Sequence, residues 1–116
     1  MPILLKRAYE KPIAEDGKRI LVERLWPRGL KKENAKVDEW IKEIAPSAEL
    51  RKWYNHDAPK WVEFKKRYWA ELDKNKDVVL RLSEESKRRK VTFLFGSKEE
   101  KLNSATALKE YVETHA

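Results

Sequence analysis

At 116 residues the chain is sized for a single compact domain with a real core, and one domain over residues 1–116 is the expectation. Apolar and charged residues each make up 41%, with five Trp, four Tyr and three Phe, too much bulky material for a disordered segment. The formal charge of +7, from 27 Lys and Arg against 20 Asp and Glu, favours anionic partners, while the absence of Cys excludes disulfides, thiolate chemistry and Cys-ligated metal.

Ile3, Leu4 and Leu5, followed by Lys6 and Arg7, predict a buried first strand. AEDGKR, residues 14–19, reads as a turn or loop. ILVERLW, residues 20–26, predicts a second strand that stops at Pro27, because the proline ring fixes φ and holds the preceding residue extended. Pro27 suits position i+1 of a type I turn and Gly29 position i+3. KKENAK is a loop or a single helical turn. VDEWIKEI, residues 37–44, fits strand alternation and a helical stripe equally well. Ser47 is a good N-cap for a helix through Trp53. Pro59 opens a second helix, in which Trp61, Phe64, Tyr68, Trp69 and Leu72 recur at the 3.6-residue period. Asp77 caps a third helix that ends in KRRK, residues 87–90. VTFLF then predicts a buried central strand, and a final helix runs over roughly 99–114. Strands interspersed with helices around so apolar a strand predict an α/β sandwich with a small, mainly parallel sheet.

In such sheets ligands bind beyond the carboxyl ends of the strands. ERLWPRGL and GSKEE both follow strands, so Arg24, Trp26, Arg28, Ser97 and Lys98 are candidates to line one crevice. Arginine offers a planar fork of donors that matches carboxylate or phosphate, and a neighbouring ring stacks on it. The same two arginines also suit a structural role, paired with Glu23, Glu43 or Asp57. GSKEE resembles an anion-cradling turn, but it equally fits an ordinary helix start with Ser97 as cap and acids in the first turn. His56, the sole internal histidine, is the candidate acid or base, since imidazole titrates near neutrality. Its structural alternative is a helix junction, with His56 on a terminal carbonyl and Asp57 as an N-cap. Lys65 falls inside the apolar stripe of Trp61, Trp69 and Leu72, where a lysine snorkels or faces a polar cavity. KRRK is either a solvated helix end or a nucleic-acid patch.

Abundant Lys and Glu without Gln resemble the ion-pair-rich composition of heat-adapted proteins. No long apolar run and no signal peptide are visible, so a cytoplasmic location without a membrane span is expected. HExxH and EF-hand spacings are absent, and neither metal nor other cofactor is expected.

LVERLWPRGL, DEWIKEIAPSAELRKWYNHD, KWVEFKKRYWAEL and VTFLFGSKEEKLNSATALKEYV together resemble the YeaO-like family, a domain-of-unknown-function group, over about residues 3–113. The resemblance implies Rossmann-like three-layer packing and tips residues 37–44 towards a strand. It implies no particular reaction. More distant relatives carry a cysteine after the last strand and a Cys-His-Arg motif before the final helix. Here that region reads FLFGSKEEKLNSAT, with Asn103 and Ser104 near the motif's place, so any chemistry of those groups is lost while the crevice persists. The expectation is an anion- or phosphate-binding crevice of Arg24, Trp26, Arg28, His56, Ser97, Lys98 and Asn103. A small hydrolase of phosphorylated or nucleotide ligands fits it. The rivals are a nucleic-acid-binding or regulatory module that uses the basic surface, and a partner-binding protein with an aromatic interface.

Overall fold

The computed structural model describes residues 3–115. Four short strands, β1 (Leu4–Arg7), β2 (Lys18–Leu21), β3 (Glu39–Trp40) and β4 (Val91–Phe95), form one sheet in the order β1-β4-β2-β3, every pairing parallel. The last strand in sequence therefore sits between the first two, and all five of its residues are buried. A strand covered on both faces reads as a continuous apolar run, as VTFLF does.

The helices are α1 (Lys32–Ala35), α2 (Ala48–Tyr54), α3 (Trp61–Leu72), α4 (Lys76–Arg88) and α5 (Ser104–His115). Strand alternation divides the core. Ile3, Ile20, Val22, Val91, Phe93 and Phe95 join the inward faces of α2 to α5. Ala8, Leu21 and Leu94 face the other way, against Trp26, Leu30, Val37 and Trp40. The sandwich is lopsided: four helices cover one face, and a loop with one helical turn covers the other. Full burial of a Phe, Ile or Leu stabilises by about 1.5–3 kcal/mol, so most of the hydrophobic stabilisation lies on the helical side. Among the described residues no helix is long and apolar enough to cross a membrane.

Several boundaries depart from the sequence reading. β2 ends at Leu21 rather than Trp26, because the chain must leave the sheet to lay Trp26 and Leu30 over its thin side. Within 37–44 only Glu39 and Trp40 are strand, and Lys42–Ile44 is a 3₁₀ turn. The N-cap of α4 is Asn75, without a side-chain cap bond, and Asp77 lies in the first turn instead. The final helix begins at Ser104, not near Glu99. Glu99 folds back on its own loop, its carboxylate accepting from the amides of Lys101 (2.8 Å) and Leu102 (3.2 Å), while Asn103 Oδ1 accepts from Thr106 N at 2.9 Å and caps the helix. The Ser47 cap holds, its hydroxyl accepting from Leu50 N at 3.2 Å and donating to Glu71 at 2.7 Å. Lys65 snorkels along α3 to Glu110 on α5 at 2.9 Å, with its ammonium 5.3 Å from the Trp69 ring centre.

The amino ends of the strands are tied by a buried polar network. Arg19, on β2, reaches Asp16 at 2.5 Å and the carbonyls of Ala35 (2.8 Å) and Lys36 (3.2 Å). Asp16 also takes Lys6 at 3.1 Å, and its carbonyl takes the Thr92 hydroxyl at 2.7 Å. Burial opposes ionisation of Asp16, but hydrogen bonds from the Ile13 amide, Lys6 and Arg19 outweigh it and hold the carboxyl below its ordinary range. Beside them Lys18 bridges Glu85 (2.8 Å) and Glu39 (3.0 Å), and Glu39 also receives Arg81 at 2.8 Å. Along the open edge of β1, two carboxylates take backbone amides: Glu113 accepts from Ile3 N at 3.1 Å and Glu10 from Arg7 N at 2.9 Å.

Candidate functional site

The loops that follow β1, β2 and β4 converge on one cavity of about 350 Å³ at the carboxyl end of the sheet. Tyr9 comes from the first loop, Glu23 and Leu25 to Arg28 from the second, Gly96 and Ser97 from the third. Arg51, Tyr54, Asn55 and His56 come from the end of α2, with Phe64 from α3 and Asn103 and Ser104 from the start of α5. The size falls within the range of small-molecule pockets.

The walls are stiffened by side chains that bond backbone. Trp26 Nε1 donates to Leu30 O at 2.6 Å, and its ring meets Trp40 edge-on at 5.5 Å. Trp40 Nε1 in turn donates to Glu23 O at 2.6 Å. Tyr9 donates to Arg28 O at 2.8 Å, Arg7 Nε to Ser97 O at 2.9 Å, and Tyr54 to Leu102 O at 2.8 Å. The ERLWPRGL turn differs from the sequence reading. Leu30 N bonds Pro27 O at 3.3 Å, so Pro27 is position i and Gly29 position i+2. Gly29 has φ +76° while Arg28 keeps a negative φ, which makes a type II turn. Arg28 then stands at its crest.

His56 owes its place to backbone geometry. Asn55 ends α2 in the left-handed region, at φ 44°, and His56 follows at φ 54°. Two consecutive non-glycine residues there are costly, about 1–3 kcal/mol each, and Asn and His are among the side chains that bear it best. The turn is closed by Asp57 N on Tyr54 O at 2.9 Å. Asp57 makes no side-chain cap bond.

The candidate residues separate into three groups. Arg28, His56 and Trp26 line the cavity, as do Ser97 and Asn103. Ser97 and Asn103 also have local duties: the Ser97 hydroxyl accepts from Glu99 N at 3.0 Å rather than capping a helix, and Asn103 caps α5. Lys98 is exposed and outside the wall, and Arg24 is outside it too. Arg24 reaches the carbonyls of Ala45 (3.3 Å) and Pro46 (3.4 Å) and so braces the wall from behind. Neither Arg24 nor Arg28 pairs with Glu23, Glu43 or Asp57, because the strand's early end carries Arg24 under the Pro46 loop and lifts Arg28 onto the turn.

Glu23, Arg51 and Ser104 are the residues that the sequence reading missed. Glu23 is half-buried, but the surface it shows opens into the cavity. Burial pushes its carboxyl above the ordinary carboxylate value, and the nearby Arg51 charge and the Ser104 hydroxyl, 3.5 Å away, offset this only in part. Arg28 and Arg51 make no ion pair within 4.0 Å among the described residues. The cavity thus holds two uncommitted guanidinium groups, an imidazole, a desolvated carboxyl and aromatic walls.

Residues 2–116 match the family model DUF488-N3i, described as the inactive DUF488-N3 subclade. The chain belongs to that family. It is 40% identical to the uncharacterized protein YeaO of Escherichia coli K12 over 114 residues, covering 98% of this chain and 99% of that one. The uncharacterized proteins Mb3100c of Mycobacterium bovis and Rv3073c of Mycobacterium tuberculosis H37Rv are each 44% identical over 70 residues, or 60% of this chain and 59% of theirs. No solved structure matches. The resemblance read from the sequence motifs is therefore correct at the level of the YeaO-like family.

Proposed function

We propose that the crevice binds a small phosphorylated molecule and holds it without turning it over. One observation carries this reading: Arg28 and Arg51, both exposed at the rim, line the same cavity, and neither has an ion-pair partner among the described residues. A guanidinium left free on a rigid turn is suited to phosphate, which it meets with two parallel hydrogen bonds. The location beyond the carboxyl ends of parallel strands supports it, as does the net charge of +7.

Hydrolysis has weaker support. His56 makes no hydrogen bond to Ser97 or Ser104 among the described residues, the chain has no cysteine, and the family is described as inactive. Titrating inorganic phosphate and a phosphate monoester by calorimetry tests the reading. Wild type binds both, and Arg28→Ala loses about tenfold or more in affinity, the loss of a charge-assisted pair, with its melting curve unchanged. Equal affinity in the two proteins removes the clamp from the crevice. Release of inorganic phosphate above background replaces holding with hydrolysis.

A second reading rests on KRRK. Lys87, Arg88, Arg89 and Lys90 are exposed and make no ion pair among the described residues, at the end of the sheet opposite the crevice. Nucleic-acid binding there would weaken steeply with salt. No binding to DNA or RNA at low salt discards it.

A further inference from the structure

We propose that Glu23 reads the ribose of a ribonucleotide in this crevice, its carboxylate accepting the vicinal hydroxyls while Arg28 takes the phosphate. The assignment rests on the phosphate-binding reading above and names the class of ligand.

Glu23 has few partners of its own. An ionised carboxylate has about four acceptor positions, and the Glu23 side chain uses one, on the Ser104 hydroxyl at a weak 3.5 Å. Its backbone carbonyl is held by Trp40, and the surface that the side chain shows opens into the cavity. Arg51 attracts it without reaching ion-pair distance. A carboxylate repels phosphate, so the anionic part of a ligand must lie away from Glu23; of the two cavity arginines Arg51 is drawn towards Glu23, and Arg28 on the turn is left to meet it. The part near Glu23 must instead supply donors without negative charge. Vicinal hydroxyls meet both oxygens of one carboxylate, and an acid after the second strand reads ribose in this way in dinucleotide-binding α/β sheets. Glu23 lies two residues after β2. Trp26, Tyr54 and Phe64 in the same walls offer apolar ring surface, and every nucleobase has a face to place against it.

In the unliganded protein burial holds the Glu23 carboxyl above its ordinary value, so its charge opposes folding at neutral pH. That is the pattern of a group kept for a ligand rather than for the fold.

The test titrates wild type, Glu23→Gln and Arg28→Ala with AMP, dAMP and inorganic phosphate, and melts each protein at pH 7. Wild type is expected to prefer AMP to dAMP by about 10- to 100-fold, the range for hydrogen bonds to a charged acceptor. Glu23→Gln is expected to lose that preference, to bind inorganic phosphate at least as well as wild type, and to melt higher. Arg28→Ala is expected to weaken all three ligands. Equal wild-type affinity for AMP and dAMP overturns the ribose assignment, needing no variant, and leaves phosphate binding intact. A lower melting temperature for Glu23→Gln also overturns it, because Glu23 then serves a structural pair with Arg51. If wild type binds none of the three ligands, the phosphate-binding reading fails and the assignment falls with it.

Discussion

The two ends of the sheet use the same residue types to opposite effect. At the amino ends of the strands Arg19, Lys18, Lys6 and Arg81 are all engaged with Asp16, Glu39 and Glu85 at 2.5 to 3.2 Å. At the carboxyl ends Arg28 and Arg51 have no such partner among the described residues, and Glu23 has little more than a distant hydroxyl. Burial contributes, since Asp16 and Arg19 are buried while Arg28 and Arg51 are exposed, yet of the half-buried Lys18 and Glu23 only Lys18 is paired. What differs is neutralisation. One end is closed by its own charges, and the other keeps charge available while neutral bonds to backbone carbonyls hold its loops.

The largest test of this contrast is Arg19→Ala. It leaves Asp16 with Lys6 and the Ile13 amide but strands the Ala35 and Lys36 carbonyls in the interior, and is expected to cost about 2–4 kcal/mol in urea unfolding. Loss under about 1 kcal/mol would mean that the amino-end network is not structural. Next in size is the comparison of the two arginines in ERLWPRGL. Arg28→Ala is expected to lose phosphate binding tenfold or more with stability unchanged within about 0.5 kcal/mol. Arg24→Ala is expected to do the reverse, destabilising by about 1 kcal/mol through its lost carbonyl bonds and changing affinity little. If both variants behave alike, the division between brace and clamp is wrong.

The smallest effect concerns pH. Hydrogen bonding from Arg81, followed by Lys18 against opposing burial, holds Glu39 below its ordinary value. Because the folded-state value is depressed, the stabilisation is present above the ordinary carboxylate value and is lost as pH falls through the folded one. The groups are partly exposed, so Glu39→Gln should remove no more than about 1 kcal/mol at neutral pH. It should also flatten the acid limb of stability measured between pH 5 and pH 3. A mutant limb as steep as that of wild type would assign the slope to the other depressed carboxyls, Asp16, Glu63 and Glu99. Glu23 has the opposite sign, its raised value making the folded protein less stable as pH climbs through it.

How far the sequence revealed this depended on whether a residue's role was local. Ser47 caps α2, Phe64, Tyr68 and Leu72 turn inward on α3, and VTFLF is the buried strand, because caps and hydrophobic periodicity act within a few residues. Pro27 and Gly29 marked a turn, but its register lies one residue from the one read: Leu30 N meets Pro27 O, which puts Gly29 at i+2 with positive φ. The GSKEE segment read as a helix start because Ser97 and its acids have the composition of one. Glu99 instead spends its carboxylate on loop amides, and the cap passes to Asn103. Glu23 was hidden for a different reason. Beside Arg24 it looked like a pairing partner, and only the strand's end at Leu21 separates the two, sending Arg24 to Pro46 and Glu23 to the cavity. Arg51 carries no local signal of its own, and only the end of α2 at the crevice brings it to the wall.

The acids on the open edge of β1 have a consequence for solubility. A parallel edge strand with bare amides is a template on which a second chain can add a strand. Here Glu113 and Glu10 occupy the amides of Ile3 and Arg7, while Leu4 between them is 44% exposed. The guard consists of two borrowed acceptors, not of a covering element. Glu10→Ala with Glu113→Ala removes both acceptors and is expected to promote self-association in sedimentation while the core remains folded.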